Sequence, residues 1–282
     1  MKCIFCHKIS LQSKSIEHII PESLCEQHWT LPKGIVCDDC NNYFSRKVEK
    51  IVLESDEFKY LRFHQRIKTK KGKFTTVKAY ISNYQVDICE DKGDYRFNVY
   101  VNDSKLVNDL FNKKADRILV PQTGCPPDQQ SLSRFIAKMA VEYLAYRVKE
   151  IENWNEDFIN NLELQRIVQY ARYPKKNEIW EITKRRVYDE NTFFINEGKN
   201  LQILNEMDLV VTNYEIQDDT TYSMEIFFVI IIFGIEYAIN LAGNDMSAYK
   251  KYLKENNFIS PLYLGKNSKN TENNGLINTP ID

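Results

Sequence analysis

The sequence predicts an α+β protein in which a small cysteine-bound unit at the N-terminus precedes a larger domain of mixed helices and strands. Three observations carry this prediction. Two Cys-x-x-Cys pairs fall within the first forty residues, apolar residues recur at helical spacing after Ser131, and several later segments alternate or run apolar as strands do. The chain has 282 residues, 43% of them hydrophobic and 27% charged, which suffices for one large domain or two modest ones.

Charge is unevenly distributed along the chain. The net charge is −1, but residues 1–80 carry fifteen Lys or Arg against nine Asp or Glu, whereas the remainder is acidic. This asymmetry predicts a basic working end and a neutral or acidic end that faces a partner. The N-terminus lacks the apolar core of a signal peptide, and the longest apolar run, 226–235, is too short to span a bilayer. We therefore expect a cytoplasmic protein without membrane association.

The cysteines form two tight pairs, Cys3-x-x-Cys6 and Cys37-x-x-Cys40. Two residues between thiolates let both reach one tetrahedral metal, so the four cysteines predict a structural Zn²⁺ site in a reducing compartment. The second pair runs directly into a helical pattern at Asn41, which predicts a treble-clef arrangement of knuckle, hairpin and helix. The isolated cysteines are expected to be plain thiols: Cys25, Cys89 and Cys125.

The remaining elements follow from periodicity. Residues 40–57 predict an amphipathic helix, and the basic segment after it begins as helix and then turns into a strand. Two strands around a turn at 92–94 are expected in 79–102, a long helix after Ser131, and a second helix over 156–170. Strands are expected in 179–189 and 207–216, and in 223–243 as two segments with a bend at Gly234.

These elements suggest four regions. They are a zinc-bound N-terminal domain, a basic connecting segment, an α+β domain and a polar tail, at residues 1–57, 58–78, 79–265 and 266–282.

An acidic residue followed directly by a histidine, Glu17-His18, lies between the two cysteine pairs and is called the acid–histidine step below. The segments Cys3-Ile4-Phe5-Cys6, Glu17-His18-Ile19-Ile20-Pro21 and Cys37-Asp38-Asp39-Cys40-Asn41-Asn42 together resemble the HNH endonucleases of the ββα-metal superfamily, in their four-cysteine zinc-knuckle form. The resemblance covers about residues 1–55, a fifth of the chain. Its specificity lies in the conjunction, since the acid–histidine step alone is a weak signal.

The resemblance implies metal-dependent hydrolysis of DNA phosphodiester bonds. His18 would be the general base, because an imidazole with a pKa of about 6.5 is mostly neutral at working pH. Glu17 and Asn41 would hold one Mg²⁺ or Mn²⁺ ion through oxygen, with Asn42 the less favoured alternative to Asn41. Adjacent strand residues face opposite ways, so Glu17 and His18 reach one cleft only if the strand ends there, as Pro21 favours.

The sequence departs from the family pattern at one position and leaves another open. The middle Asn of the pattern has no clear equivalent, and Thr30 is the nearest polar candidate for orienting His18. Glu49, further along the same predicted helix, either supports the site or pairs with Lys47 or Lys50. We favour the pairing.

Residues 58–78 contain eight Lys or Arg and no acid. Beside a small nuclease domain, such a run is expected to bind backbone phosphates without reading sequence. The residues expected to contact DNA are Lys59, Arg62, Arg66, Lys68, Lys70, Lys71 and Lys73.

Residues 79–282 contain no motif that we can tie to chemistry, so we expect them to sense a ligand, bind a regulatory protein or form a homo-oligomer. By analogy, standalone bacterial proteins that combine an HNH unit with such an extension are often effectors of anti-phage defence. Two other functions stay open. One is a non-catalytic zinc-dependent module that binds DNA or protein, and the other is a nuclease subunit that is inactive until a partner engages the C-terminal domain.

Overall fold

The structure is a computed structural model that describes residues 1–25, 29–69, 71–91, 96–188, 193–196, 199–201, 205–215, 222–263 and 278–279. Its mixture of helices and strands confirms the α+β class. The chain divides into two compact units. Unit 1 comprises residues 1–20, 28–49 and 129–282, and unit 2 comprises residues 21–27 and 50–128. Among the described residues, no helix is both long enough and apolar enough to cross a membrane.

Unit 1 begins with the cysteine-bound elements. Two short antiparallel strands pair His18 with Thr30, and the second cysteine pair opens a helix. That helix widens into a π-helical turn, a form often found at functional sites. The bounds are β1 Glu17–His18, β2 Thr30–Leu31, α1 Asp38–Phe44 and the π-helical turn Ser45–Glu49.

Unit 2 contains two further helical segments, a three-stranded sheet and a short helix. The elements are α2 Lys50–Leu53, α3 Asp56–His64, β3 Val77–Ile81, β4 Tyr84–Asp91, β5 Arg96–Tyr100 and α4 Ser104–Phe111. The strands are antiparallel in the order β3-β4-β5. Their apolar side chains pack with α3 and α4 in one core that includes Tyr60, Val77, Ile81, Ile88 and Leu106.

Two expectations for this region are wrong. The single helix over 40–57 is interrupted because Ser55 caps a new helix, its hydroxyl accepting a hydrogen bond from the Phe58 N–H. The segment 79–102 contributes three strands instead of two, because a tight turn at residues 82–83 separates β3 from β4. The turn expected at 92–94 lies outside the described residues.

The rest of unit 1 begins with three helices, α5 Gln129–Val148, α6 Trp154–Asn160 and α7 Leu162–Arg172. The long helix after Ser131 is confirmed by α5. The second expected helix, 156–170, is in fact two helices. Asn161 separates them, because its extended backbone ends α6 while its side chain caps α7 by accepting from the Leu164 N–H at 2.9 Å.

Two antiparallel sheets follow. The strands and last helix are β6 Ile182–Arg186, β7 Phe193–Asn196, β8 Lys199–Leu201, β9 Glu206–Glu215, β10 Tyr222–Ile232, β11 Ile235–Asn240, α8 Ser247–Glu255 and β12 Asn278–Thr279. One sheet has the order β6-β11-β10-β9, and the other has the order β12-β7-β8. The expected strands in 179–189, 207–216 and 223–243 are confirmed within the described residues. In the region expected to be a polar tail, 278–279 form β12 and the other residues lie outside the described ones.

The bend at Gly234 is a two-residue hairpin turn. Phe233 and Gly234 have φ angles of 50° and 80°, and Ile232 pairs with Ile235 across the turn. Positive φ at both central positions is typical of the turn that matches strand twist. This hairpin joins the apolar strands β10 and β11, whose side chains form much of the core of unit 1.

Helix α5 lies at the centre of unit 1. It packs against β11, α7 and the π-helical turn, and its side chains from Leu132 to Tyr143 are all buried. A helix buried on every side is expected to be apolar all round. Lys138 and Glu142 break that rule, and both are 0% exposed.

Candidate functional site

The four predicted cysteines come together. The sulfur atoms of Cys3, Cys6, Cys37 and Cys40 all lie within 4.8 Å of one another, with 3.5 Å between the Cys6 and Cys37 sulfurs. The backbone N–H of Cys37 points at the Cys3 sulfur, 3.4 Å away. Four thiolate donors in a compact, largely buried cluster are the ligand set of a structural zinc site. The cluster therefore suggests zinc binding.

Acidity is unequal within this cluster. A hydrogen bond from Cys40 lowers the pKa of Cys3 to about 5, against the effect of burial. Burial raises the pKa of Cys37 to about 11. The hydrogen bond that Cys40 gives to Cys3, together with burial, raises the pKa of Cys40, and the Arg172 guanidinium opposes that rise. The Arg172 guanidinium also lies 3.5 Å from the Tyr43 ring centroid, so α7 supplies a cation beside the cluster.

The first turn of α1 holds the segment that leads into β1. The Asp38 carboxylate accepts hydrogen bonds from the N–H groups of Lys14 and Ser15, at 3.0 and 2.9 Å, and from the Ser15 hydroxyl at 2.5 Å. The hydrogen bond from the Ser15 hydroxyl is the main reason why the pKa of Asp38 lies below its usual range. The Asn41 amide donates to the Ile16 carbonyl at 3.2 Å. Three consecutive residues before Glu17 are thus fixed against the helix.

The acid–histidine step forms β1 itself. Glu17 is buried and His18 is partly exposed, which agrees with neighbouring strand residues facing opposite ways. β1 has only these two residues and the chain turns away before Pro21, as the sequence predicted for a strand that ends early. Thr30 lies opposite His18 in the hairpin, so its place agrees with the position considered for an orienting residue.

A lysine that the sequence did not bring to notice contacts both residues of β1. The Lys138 ammonium lies 2.6 Å from Glu17 Oε1 and donates to the His18 carbonyl at 2.8 Å. It also lies 2.9 Å from Glu49 Oε1 and 3.0 Å from Glu142 Oε2. The favoured pairing of Glu49 with Lys47 or Lys50 is therefore wrong. The π-helical turn ends at Glu49, whose side chain is 15% exposed and contacts Lys138, while Lys50 pairs with Glu54.

Burial and nearby charges together shift the pKa values of Lys138 and Glu142. Burial alone would lower the pKa of Lys138, but Glu142, Glu17 and Glu49 outweigh it and raise that pKa well above its ordinary value. The pKa of Glu142 is also well above its ordinary value, because burial and the nearby Glu17 carboxylate disfavour its charge. Lys138 accordingly stays an ammonium, while Glu142 takes up a proton more readily than a carboxyl group in solvent.

Aromatic side chains pack the same elements onto α5. The Trp29 ring, at the foot of the hairpin, lies 6.2 Å from the Tyr143 ring and 5.8 Å from the Tyr146 ring, edge to face in both cases. Tyr43 of α1 accepts a hydrogen bond from Arg134 at 2.8 Å. The cysteine-bound elements are therefore built into the core of unit 1.

The basic stretch lies in unit 2, and its members differ in exposure. Lys68, Lys71 and Lys73 are exposed, Lys59 is partly exposed, and Lys70 lies outside the described residues. Arg62 is buried and donates to the Leu53 carbonyl at 2.7 Å. Arg66 forms a two-point ion pair with the buried Glu90. The guanidinium groups of these two arginines bind within unit 2, which disfavours them as phosphate contacts compared with the exposed lysines.

Asn41 and Asn42 also differ in how exposed they are to solvent. Asn41 is partly exposed and anchored to the Ile16 carbonyl, whereas Asn42 is exposed. The preference for Asn41 therefore stays the better prediction.

The sequence did contain a signal for Lys138 and Glu142, since both lie among the buried apolar positions of α5, four residues apart.

A cysteine cluster, a two-stranded hairpin bearing an acid and a histidine, and a helix that follows the second cysteine pair are consistent with a unit of the four-cysteine zinc-knuckle type. Residues 3–55 match the family model of the HNH endonucleases. The N-terminal part of this chain is therefore an HNH-type unit, which confirms the resemblance. No curated protein and no solved structure matches the chain.

Proposed function

We propose that the chain is a metal-dependent endonuclease that hydrolyses DNA phosphodiester bonds. Its catalytic site would be formed by Glu17, His18 and Asn41. One observation carries the proposal. Within the segment that matches the HNH endonucleases, the Glu17–His18 strand is held against the first turn of a helix that begins in a four-cysteine cluster.

His18 acts as the general base in this proposal. Its side chain is partly exposed, so that water and substrate can reach it, while its backbone is fixed by the pairing with Thr30 and by Lys138. The imidazole takes a proton from the water that attacks the phosphodiester. Fixing the backbone of the base keeps its nitrogen within reach of that proton.

Glu17 and Asn41 would hold the divalent cation. Mg²⁺ and Mn²⁺ prefer carboxylate and amide oxygens as ligands. The side-chain nitrogen of Asn41 donates a hydrogen bond to the Ile16 carbonyl, so its side-chain oxygen is the atom that would bind the cation. Glu17 Oε1 contacts Lys138, so the carboxylate would be shared between an ammonium and the cation. When bound, the cation polarises the scissile phosphate and stabilises the leaving 3′ oxygen.

The zinc would have a separate, structural role. Four thiolates leave no open position for substrate, so a zinc ion there would hold the hairpin against α1 without taking part in chemistry. Lys59, Lys68, Lys71 and Lys73 are the described basic side chains of 58–78 that remain as candidate phosphate contacts, with little sequence preference.

Two other functions make different predictions. A zinc-dependent binding module would bind DNA or protein and never cleave, and a partner-activated subunit would cleave only with its regulator or as an oligomer. The contact of one buried lysine with both residues of the acid–histidine step favours an enzyme, because a module that only binds has no need to orient a base. A role in anti-phage defence is a further hypothesis, which a plaque assay with wild type and His18→Ala would test.

The test is cleavage of supercoiled plasmid by zinc-loaded protein in Mg²⁺ or Mn²⁺, with the same protein without added Mg²⁺ or Mn²⁺ as a control. We expect nicked or linear products whose ends DNA ligase rejoins, because a leaving 3′ oxygen produces a 3′-hydroxyl and a 5′-phosphate. Binding without cleavage by folded protein would contradict a constitutive nuclease. Products that ligase cannot seal would contradict the proposed direction of attack.

A further inference from the structure

Lys138 reaches the candidate site from outside the segment that matches the HNH family. It lies on α5, 120 residues after His18, and its side chain is 0% exposed. Its ammonium makes four close contacts, to Glu17 Oε1, the His18 carbonyl, Glu49 Oε1 and Glu142 Oε2, at 2.6, 2.8, 2.9 and 3.0 Å.

A lysine in this position is unfavourable for packing alone. Lysine is almost never fully buried unless it is paired, because removing an ammonium from water costs free energy. The surrounding carboxylates offset that cost, and they come from three elements of unit 1, β1, the π-helical turn and α5. An apolar residue would fill the same volume without needing three acids.

The pattern of contacts is informative as well. The ammonium binds the side chain of Glu17 and the backbone of His18. It therefore fixes the carboxylate of one residue and the strand position of the other, while the His18 side chain stays partly exposed to water. Because the lysine side chain is fully buried, the ammonium itself does not contact DNA.

We propose that Lys138 is a positioning residue for the Glu17–His18 step, and that it makes the geometry of the N-terminal site depend on α5. This inference rests on the proposed function. Glu49 and Glu142 hold the ammonium in place, and the widened turn that ends at Glu49 brings its carboxylate to that point.

The direction in which cation affinity changes when Lys138 is removed separates a positioning role from a purely electrostatic effect. Removing a positive charge beside Glu17 would by itself tighten the binding of a cation. Losing the orientation of Glu17 would weaken it, since residues that orient metal ligands typically contribute about 10- to 100-fold in affinity or activity. We therefore compare Lys138→Met/Glu142→Gln with Glu142→Gln, two variants that differ only at Lys138. The paired change leaves two carboxylates, Glu17 and Glu49, beside the missing ammonium, whereas Lys138→Met alone would leave three.

We expect the double variant to bind Mn²⁺ about tenfold more weakly than Glu142→Gln, as measured by the electron paramagnetic resonance signal of free Mn²⁺. We expect its kcat for plasmid cleavage to fall about 100-fold at saturating cation, with the KM for DNA unchanged. Arg134→Met is the stability control, because Arg134 is also buried on α5 but binds Tyr43 and the Ala171 carbonyl. It should lower thermal stability while leaving Mn²⁺ binding unchanged.

A second measurement is chemical rescue, with the variant purified in n-propylammonium so that an ammonium compensates the three acids while the chain folds. Lys138→Ala leaves a space that n-propylammonium matches, so adding n-propylammonium should restore Mn²⁺ binding and cleavage, whereas n-propanol at the same concentration should not. Restoration by neither compound, in folded and zinc-loaded protein, would overturn the proposal.

The outcomes also separate this proposal from the proposed function. Tighter or unchanged Mn²⁺ binding, or faster cleavage, after loss of Lys138 would overturn positioning while leaving the nuclease intact. Wild type that binds Mn²⁺ but does not cleave, with binding weakened in the double variant, would support positioning and contradict the constitutive nuclease. Wild type that does not bind Mn²⁺ would overturn positioning.

Discussion

At the scale of single residues, exposure separates the basic side chains of 58–78 into two groups. Lys68, Lys71 and Lys73 extend into solvent, whereas Arg62 is enclosed and bound to the Leu53 carbonyl. A sequence pattern records charge but not burial, so all of them were equal candidates for contact with phosphate. The long apolar stem of arginine allows it to take part in a core.

A matched pair of variants tests this division. Replacing Lys68, Lys71 and Lys73 together by Ala should weaken DNA binding and reduce the salt slope of log K by about 0.9 for each phosphate that is no longer neutralised. Arg62→Met should leave DNA binding unchanged and destabilise the fold by about 1–3 kcal/mol, because the Leu53 carbonyl loses its donor. Filter binding across a salt series and chemical denaturation measure the two effects. A salt slope that responds to Arg62→Met alone would contradict the division.

At the scale of elements, we expect zinc bound at the cysteine cluster to hold β1, β2 and α1 in their arrangement. Zinc removal by a chelator, or Cys40→Ser, should unfold these elements, because apparent zinc-binding energies of about 10–16 kcal/mol rival the whole stability of a domain. The measurements are metal content, expected at one zinc per chain, and far-ultraviolet circular dichroism. Cys125→Ser is the control, since Cys125 is exposed and lies outside the cluster. Unchanged spectra after complete zinc loss would contradict a structural role.

Helix α5 should make stability depend on pH through Glu142. Its pKa is raised in the folded chain, so the protonated form favours folding. That contribution is full below the unfolded pKa of about 4.3 and is lost as pH rises towards the folded value, at up to about 1.4 kcal/mol per pH unit. Glu142→Gln should therefore flatten the fall in the free energy of unfolding above about pH 5, measured by urea denaturation without added Mg²⁺. A steeper fall in the free energy of unfolding of Glu142→Gln than of wild type would contradict a raised pKa for Glu142.

Elements with strong periodicity could be predicted and those that depend on capping could not. The apolar faces of α5 and the run in β10 and β11 are visible in the sequence. The breaks at Ser55 and Asn161 were missed, because a polar residue within a helical pattern fits a solvated face as well as a cap. The cysteine spacing predicted the cluster of four cysteines, since few arrangements bring four thiol groups to one metal ion.

At the scale of the whole molecule, the N-terminal site and α5 form part of one core in unit 1. Local motifs predicted Glu17, His18 and Asn41 as site residues, but Lys138 comes from a distant helix, and a long-range contact leaves no spacing to recognise. The charged pair Lys138 and Glu142 inside an apolar pattern was the available signal. It is ambiguous in a sequence, because such pairs are also common on solvated helix faces.

Residues 1–57 alone should therefore be a poor nuclease. The fragment keeps the four cysteines but lacks the partners of Glu17, Glu49 and Trp29 on α5. We expect it to bind zinc, to unfold at a lower temperature than the full chain, and to cleave plasmid at less than about one hundredth of the full-chain rate. Calorimetry and the plasmid assay measure these quantities. Full activity in the fragment would show that α5 is dispensable.

The most direct test is the single-turnover rate of plasmid cleavage by zinc-loaded wild type, His18→Ala and His64→Ala in saturating Mn²⁺. His64 is a matched control, because its ring binds the Pro121 carbonyl in unit 2. We expect a rate for His18→Ala that is about 10²- to 10⁴-fold below wild type, the usual contribution of a general base. The His64→Ala rate should equal that of wild type. Equal rates for wild type and His18→Ala would contradict the assignment of His18 as the base.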